Sequence, residues 1–169
     1  GKVNDETKKL GIIADTHENM PIIRKAVQLF NREEVDLVLH AGDFISPITV
    51  KEFKNLNADL IGVFGNNDGD RLLLREKYSD AGIGRIERDP YEFELDGKKI
   101  YLMHQPKFMD SLKNSSEVDI VVYGHTHEID IQKGEPLIIN PGECCGWLSG
   151  KSTVLILDLE EMDPKIIQL

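Results

Sequence analysis

The chain has 169 residues, of which 40% are hydrophobic and 30% charged, so it is long enough for one globular domain with a single buried core. Its 30 acidic and 20 basic residues give a formal charge of −10, which argues against a protein that holds long nucleic acids by their phosphates. No apolar run approaches the roughly 18 residues of a membrane-spanning helix, so no membrane partner is expected.

The chain begins with a polar segment of mixed charge that resembles neither a signal peptide nor a transit peptide. We expect residues 1–9 to form a disordered or artificially added tail. We expect residues 10–169 to form a single domain.

The first half of the chain alternates short apolar runs with amphipathic segments. Residues 10–14, 37–40 and 60–64 are each typical of a buried parallel strand. Residues 21–33 place apolar side chains at helical spacing, and a second helix is predicted near residues 47–55. The order β-α-β-α-β indicates a largely parallel sheet with helices against it.

The second half is richer in strands. The Asp96-Gly97 pair lies between apolar residues 93–95 and 99–103 and predicts a two-residue hairpin turn. Further strands are predicted from four apolar runs, the last two as a closing antiparallel hairpin: residues 120–123, 137–139, 153–159 and 165–169. So many strands with so few helices predict an α/β fold of four layers, an αββα sandwich of two mixed β-sheets flanked by helices.

The two cysteines of the chain, Cys144 and Cys145, are neighbours in sequence. Adjacent cysteines rarely form the disulfide that a secreted scaffold needs, and zinc frames separate paired cysteines by about two to four residues. We therefore interpret both as structural and expect a cytoplasmic protein.

Five of the predicted strands end in side chains that can bind a metal, usually beside a glycine. Ligands in such sheets bind outside the carboxyl ends of the strands, so these side chains are expected to meet. Taken alone, the first motif is typical of a helix cap and the two glycine-containing pairs are typical of turns. His104 alone is typical of a half-buried hydrogen-bonded residue, whereas His125-x-His127 alone is a moderate metal signal. The recurrence of these motifs at successive strand ends is what favours a metal centre. The candidate ligands are Asp15, His17, Asp43, Asn66, His104, His125 and His127.

The chemistry of this set points to transition metals. Two carboxylates, one amide carbonyl and four imidazoles suit Mn²⁺, Fe, Zn²⁺, Ni²⁺ or Co²⁺ better than Ca²⁺ or Mg²⁺. Seven side chains are too many for one ion but suit two ions that share a carboxylate. Bound cations would also let a strongly acidic protein handle a phosphorylated substrate, because they reverse the sign of the field locally.

These motifs resemble, in order, those of the calcineurin-like metallophosphoesterases: Asp15-x-His17, Gly42-Asp43, Gly65-Asn66, His104 and Gly124-His125-Thr126-His127. The segment Ile139-Asn140-Pro141-Gly142-Glu143 is similar to the small single-domain phosphodiesterases of bacteria and archaea. The resemblance runs from residue 10 to the end of the chain. It implies the metallo-dependent phosphatase fold and two divalent transition-metal ions, manganese first, with nickel, cobalt, iron or zinc as alternatives.

The resemblance also implies a role for each residue. One ion is implied at Asp15, His17 and His127. The second is implied at Asn66, His104 and His125, with Asp43 bridging both. Catalytic roles are implied for Asp43, Asn66, Asn67 and His125.

Two positions depart from the family pattern. Many relatives follow the metal-binding Asn with a His, where this chain has Asn67, which cannot donate a titratable proton near neutral pH. Many relatives also follow the His104 motif with Gly-His, where this chain has Gln105-Pro106. The predicted metal site is complete, whereas few groups are predicted around the leaving group.

The implied activity is hydrolysis of a small phosphodiester by a hydroxide that bridges two metal ions. Because Asn67 replaces an acid, activated aryl diesters should turn over faster than alkyl diesters. The alternative is a catalytically weak or inactive binding protein on the same fold, as in a retromer subunit, but every ligand position is filled here. Nucleases and protein phosphatases of this family carry additional segments, which disfavours both classes. The sequence is compatible with a homo-oligomer.

His40 and Trp147 lie outside the predicted ligand set. His40 lies at the end of a predicted buried strand, and we interpret it as a hydrogen-bonded residue of the core or behind the ligands. Trp147 lies in a loop without a predicted position, where it would line either the substrate pocket or an oligomer interface.

Overall fold

The computed structural model describes residues 7–169, and the predicted tail lies mostly outside these residues. Lys9 already belongs to the first strand, so the sheet begins one residue before the predicted domain boundary. The strands are β1 (Lys9–Ile13), β2 (Leu37–His40), β3 (Asp59–Val63), β4 (Gly84–Glu87), β5 (Tyr91–Leu95), β6 (Lys98–Leu102), β7 (Ile120–Val122), β8 (Ile129–Gln132), β9 (Leu137–Pro141), β10 (Thr153–Asp158) and β11 (Asp163–Gln168). The helices are α1 (Met20–Arg32), α2 (Val50–Phe53), α3 (Arg71–Asp80) and α4 (Met109–Lys113).

The first sheet has six strands in the order β11-β10-β1-β2-β3-β4. Strands β1 to β3 run parallel, as the β-α-β-α-β pattern predicts, and β4 continues the parallel pairing next to β3. Strands β10 and β11 form the predicted closing hairpin, and β10 pairs antiparallel with β1. The hairpin of β10 and β11 therefore covers the edge of β1, and β1 and β2 lie in the interior of the sheet.

The second sheet has five strands in the order β5-β6-β7-β9-β8. The Asp96-Gly97 turn joins β5 to β6 as predicted, with both turn residues in the left-handed region. Strands β6, β7 and β9 run parallel, whereas β8 pairs antiparallel with β9. Their carboxyl ends therefore lie at one edge of this sheet.

Three clusters of buried side chains define the layers. Side chains of both sheets, such as Ile12 of β1 and Ile100 of β6, fill the space between the sheets. The outer face of the first sheet packs against α1, α2 and α3 through residues such as Phe30 and Tyr78. The outer face of the second sheet packs against α4 through Leu112. This arrangement is the predicted αββα sandwich of two mixed sheets.

The helices show where the sequence-based prediction was incomplete. Helix α1 lies within one residue of the predicted range 21–33. The helix predicted near residues 47–55 is instead a 3₁₀ turn over Pro47–Thr49 followed by the single turn of α2. Helices α3 and α4 and strands β4 and β8 were not predicted. Helix α3 buries only Leu74 and Tyr78, so its sequence lacks a strong apolar period.

Among the described residues, no helix combines the length and the apolar character that crossing a membrane requires.

Candidate metal centre

The strand ends meet at one edge of the sandwich. Asp15 and His17 follow β1, Asp43 follows β2, and Asn66 follows β3 in the first sheet. His104 follows β6, and the segment with the two other histidines follows β7, in the second sheet. The structure brings all seven predicted ligand side chains into one cluster, although ion binding by these residues stays a prediction.

The backbone of this cluster is strained. Ten described non-glycine residues have positive φ angles, and five of these ten are predicted ligands: Asp15, His17, Asp43, His125 and His127. Non-glycine residues with positive φ are uncommon, and such strain concentrates at functional sites. The loops therefore hold these side chains in conformations that local preferences disfavour.

One part of the cluster, here called the aspartate group, consists of Asp15, His17 and His127. Together with Asp43, these residues place one ligand-type atom each within 4.8 Å of one another. His127 Nε2 lies 3.8 Å from Asp15 Oδ1, and His17 Nε2 lies 3.7 Å from Asp43 Oδ2. Both carboxylates are buried, with Asp15 0% and Asp43 1% exposed.

The other part, here called the asparagine group, consists of Asn66, His104 and His125. Asn66 Oδ1 lies 2.6 Å from His104 Nε2 and 3.1 Å from His125 Nδ1. The rings of the two histidines pack edge to face, with centroids 5.2 Å apart. This group is more open than the aspartate group, since Asn66 is exposed, whereas the aspartate group contains no exposed residue.

Asp43 lies between the two groups. Its Oδ1 atom is 3.6 Å from His104 Nε2, while its Oδ2 atom faces His17. Gly65 permits this approach, because a Cβ atom there would lie 2.1 Å from Asp43 Oδ1. Gly42 has φ +100°, and a Cβ atom there would collide with His104 Nδ1. The glycine therefore permits His104 to approach the loop of Asp43.

The polar atoms of the aspartate group fit a bound cation. Among the described residues, Asp15 Oδ1 and His17 Nε2 are the buried side-chain polar atoms that have no hydrogen-bond partner. An unpaired buried polar atom costs about 1–3 kcal/mol, so such atoms call for a partner. Both atoms are ligand types for a transition metal and both face the cluster.

The polar atoms of the asparagine group also fit a bound cation. The Ala41 carbonyl oxygen lies 2.7 Å from His104 Nδ1 and can only accept, so Nδ1 carries the proton. In a neutral ring the lone pair of His104 Nε2 then faces the carbonyl oxygen of Asn66. A cation between two facing acceptors removes their mutual repulsion. The hydrogen bond from His104 Nδ1 to a backbone carbonyl is also the usual contact that orients a metal-binding histidine.

Burial shifts the pKa values of Asp15, His17 and His125. It raises the pKa of the Asp15 carboxyl to about 6, although His104 and His127 oppose the rise. It lowers the pKa of the imidazoles of His17 and His125. At neutral pH the carboxylate is therefore charged and these imidazoles are neutral, which are the forms that bind metal.

Asp68 supports the ligand loops, and the sequence-based prediction missed it. Its carboxylate is buried and accepts from Gly65 N at 2.6 Å, Ile45 N at 2.6 Å and Asp43 N at 3.2 Å. One side chain thus ties the loop after β2 to the loop after β3. The turn-like sequence around Asp68 contained no signal that separates this role from an ordinary turn.

His40 also lies behind the ligands, as predicted. Its Nδ1 atom accepts from Gly42 N at 3.0 Å, so its Nε2 atom carries the proton and donates to Thr16 Oγ1 at 3.0 Å. Burial lowers the pKa of His40 well below its usual value, so the ring is neutral. His40 therefore braces the loops of Asp15 and Asp43 without binding the centre itself.

Glu143 is a second support that the sequence did not reveal. His127 Nδ1 donates to its buried carboxylate, which also accepts from Ser149 N at 2.6 Å and Leu148 N at 2.9 Å. Burial alone would raise the pKa of Glu143, but the hydrogen bonds from Ser149, His127 and Leu148 outweigh it and lower the pKa. A carboxylate behind a metal-binding histidine fixes its tautomer and orientation.

Cys145 lies beside Glu143, and with His127 these residues place further ligand-type atoms together. Burial raises the pKa of the Cys145 thiol to about 11, whereas a metal ligand must be a thiolate. The Glu143 oxygens are also occupied by their donors. These facts favour the predicted structural role of the cysteines.

Asn67 contacts the shared carboxylate. Its backbone N donates to Asp43 Oδ1 at 2.9 Å and its side-chain Nδ2 donates to Asp43 Oδ2 at 3.0 Å. Trp147, which had no predicted position, lies beside His17 with ring centroids 5.3 Å apart.

The chain is similar in sequence to known phosphoesterases over almost its whole length. Residues 9–162 match the calcineurin-like phosphoesterase superfamily domain. The chain is 43% identical over 164 residues to phosphodiesterase MJ0936 of Methanocaldococcus jannaschii, covering 95% of this chain and 99% of that protein. It is 30% identical over 171 residues to a probable metallophosphoesterase of Methanothermobacter thermautotrophicus, covering 94% and 91% of the two chains.

Solved structures agree with the sequence matches. The structure of an archaeal phosphodiesterase superposes with a TM-score of 0.89 at 43% identity, covering 95% of this chain and 99% of that one. The phosphoesterase YfcE from E. coli superposes with a TM-score of 0.68 at 19% identity, covering 95% and 98%, which shows the shared fold alone. The family match, the fold and the Asp/His cluster lead to one conclusion: the chain belongs to the calcineurin-like phosphoesterase superfamily.

Proposed function

We propose that this protein is a metal-dependent phosphodiesterase that hydrolyses small phosphodiesters. The observation that carries the proposal is the cluster of seven ligand-type side chains at the strand ends, with buried atoms of Asp15 and His17 left without a hydrogen-bond partner. The 43% identity to an archaeal phosphodiesterase over almost the whole of both chains supports the same reaction class.

The two groups would hold one ion each. The aspartate group would hold the first ion and the asparagine group the second, with the Asp43 carboxylate shared. Two divalent ions supply Lewis-acid stabilisation of the phosphoryl charge and acidify water. The mixed carboxylate, amide and imidazole set favours manganese, with nickel, cobalt, iron or zinc as alternatives.

The side chains of the protein would orient the substrate and the ligands. Asn67 would position Asp43 through its two hydrogen bonds and would not protonate the leaving group. Catalysis without a protein acid favours leaving groups that depart without a proton, so aryl diesters should react faster than alkyl diesters. Asn66 and His125 lie at the open side of the cluster, where a phosphodiester would enter.

The formal charge of −10 disfavours long nucleic acids as substrates and favours small diesters that reach the cluster singly. The two cysteines are free thiols and both are buried, which supports a reducing, cytoplasmic location.

The test is turnover of bis(p-nitrophenyl) phosphate and p-nitrophenyl phosphate by metal-stripped protein, with Mn²⁺, Ni²⁺, Co²⁺, Zn²⁺ or Mg²⁺ added singly. We expect metal-restored cleavage of the diester and its loss in a His125→Ala variant. Glu128→Ala is the matched control, because Glu128 is exposed on the same loop and its backbone, not its side chain, makes the hydrogen bond to Thr126.

Equal activity in His125→Ala and wild type would contradict the proposal. The absence of diester cleavage with every ion would also contradict it and would favour the alternative, a binding protein on this fold. Preference for the monoester would keep the metal centre but reject the diester assignment.

A further inference from the structure

Trp147 presents an aromatic surface beside the candidate metal centre. It is the one tryptophan of the chain, and the residue is 60% exposed. Its ring centroid lies 5.3 Å from that of His17, with the two rings tilted by 60°. His17 in turn reaches the shared carboxylate of Asp43 at 3.7 Å. The indole therefore lies one side chain away from the place where a phosphoryl group would bind.

The loop that carries Trp147 is held in place at both ends. After the tryptophan, the backbone N–H groups of Leu148 and Ser149 donate to the Glu143 carboxylate. Before it, Cys145 N donates to Asp15 O at 3.0 Å, and Asn19 Nδ2 donates to Cys145 O at 2.8 Å. These contacts tie the loop to the segment that carries two predicted ligands. The loop backbone therefore has little conformational entropy to lose when a ligand contacts the indole.

An exposed indole on an anchored loop suits one kind of contact. Large aromatic side chains are normally buried, and an indole face stacks well on flat rings. All phosphodiesters present the same charged phosphoryl group to metal ions, so only their ester substituents can distinguish one substrate from another. A planar aromatic substituent would bury the open face of Trp147 while its phosphoryl group lies at the ligand cluster.

We propose that Trp147 is a specificity-determining residue that stacks on a planar aromatic substituent, a nucleobase or an aryl group, of the phosphodiester substrate. The inference rests on the proposed function and adds the substrate class to it. Stacking on an aromatic side chain requires no additional positive charge, which suits an acidic protein.

The test compares ligands that share an anionic head and differ in the ring. The first pair is phenylphosphonate and methylphosphonate, and the second is AMP and ribose 5-phosphate. Their affinities for the Mn²⁺-loaded protein are measured by isothermal titration calorimetry, which requires no turnover. The variants are Trp147→Ala and Trp147→Phe, with Leu148→Ala as the control for a lost exposed apolar side chain in the same loop.

We expect wild type to bind the aromatic member of at least one pair about tenfold more tightly, the size of one stacking contact. Trp147→Ala should abolish this preference and leave the affinities for methylphosphonate and ribose 5-phosphate unchanged. Trp147→Phe should retain most of the preference, and Leu148→Ala should retain all of it. A preference in the AMP pair assigns a nucleobase, and a preference in the phosphonate pair alone assigns a smaller aryl group.

Equal affinities within both pairs in wild type, or a preference that survives in Trp147→Ala, would overturn the inference. So would a Trp147→Ala variant that changes the oligomeric state in gel filtration while the ligand preference stays the same. Diester hydrolysis without any Trp147-dependent preference overturns the inference alone. If wild type neither hydrolyses the diester nor binds either phosphonate, the proposed function itself is overturned.

Discussion

The aspartate group and the asparagine group differ in charge and in burial. The aspartate group contains a carboxylate of its own, Asp15, which is 0% exposed, besides the shared Asp43. The asparagine group has only the neutral carbonyl of Asn66 and the shared carboxylate, and it lies at the open side of the cluster. Affinity for a divalent cation rises with the charge of its ligands. We therefore expect one tightly held ion and one that exchanges more readily.

The groups also differ in what supports their histidines. His127 in the aspartate group donates to the carboxylate of Glu143, whereas His104 in the asparagine group donates to the Ala41 carbonyl. A charged acceptor raises the basicity of the imidazole more than a neutral carbonyl does. Both the ligands and their supports thus point to stronger binding at the aspartate group.

The largest effect is expected for Asp43→Ala, which removes the carboxylate that both groups share. Both ions should be lost, and diester hydrolysis should fall more than about 100-fold, beyond the usual loss for a residue that only supports a ligand. Metal content per chain, measured by mass spectrometry after gel filtration, checks the result. Retention of one ion at full affinity would show that Asp43 serves only one group.

A smaller effect is expected for Glu143→Gln, which keeps the side-chain shape but removes the charge behind His127. The affinity of the tighter ion should fall about 10- to 100-fold, while that of the weaker ion stays the same. Competition with a metal-binding dye measures both affinities, and Glu128→Gln is the exposed control. Equal losses of affinity for both ions would contradict the expected difference between the two groups.

The metal-free protein should show the cost of the buried charge on Asp15. Burial raises the pKa of this carboxyl from 3.8 to about 6, so the folded protein takes up a proton that the unfolded chain has already lost. The stability from this proton is complete below the unfolded pKa and is lost as the pH rises through about 6. Relative to Asp15→Asn, metal-free wild type should lose about 1.4 kcal/mol between pH 5 and pH 7.5.

Urea unfolding of the two metal-free proteins at both pH values measures this difference. Addition of Mn²⁺ should reverse the loss in wild type but not in Asp15→Asn. An unchanged difference between the two proteins across the pH range would show that another group pairs with Asp15.

The smallest effect is expected for Asn67→Ala. The variant loses the hydrogen bond from Nδ2 to Asp43 and keeps the one from the backbone N, so activity should fall less than about tenfold. Because Asn67 donates no proton to the leaving group, aryl and alkyl diesters should lose the same factor. A selective loss with alkyl diesters, measured as the ratio of their kcat/KM values, would assign Asn67 to leaving-group chemistry.

Much of this architecture could be predicted because it depends on local patterns. The apolar runs of β1, β2 and β3 and the Asp96-Gly97 turn predict strands and a hairpin from neighbours in sequence alone. The candidate ligands could be named because each follows such a run, where parallel strands place their loops. Helices α3 and α4 escaped prediction because most of their residues face solvent, so their pattern of apolar residues is weak.

Local sequence patterns were enough to predict nine of the eleven described strands, the αββα layers and the candidate ligands. The contacts around these ligands could be seen only in the folded chain: Asp68 joins two loops, Glu143 accepts from His127, and Trp147 lies against His17. Asn19 and Cys145, whose contact anchors the Trp147 loop, are 126 positions apart. Periodicity reports the burial of one element at a time, whereas these contacts exist only after both sheets and their loops have packed.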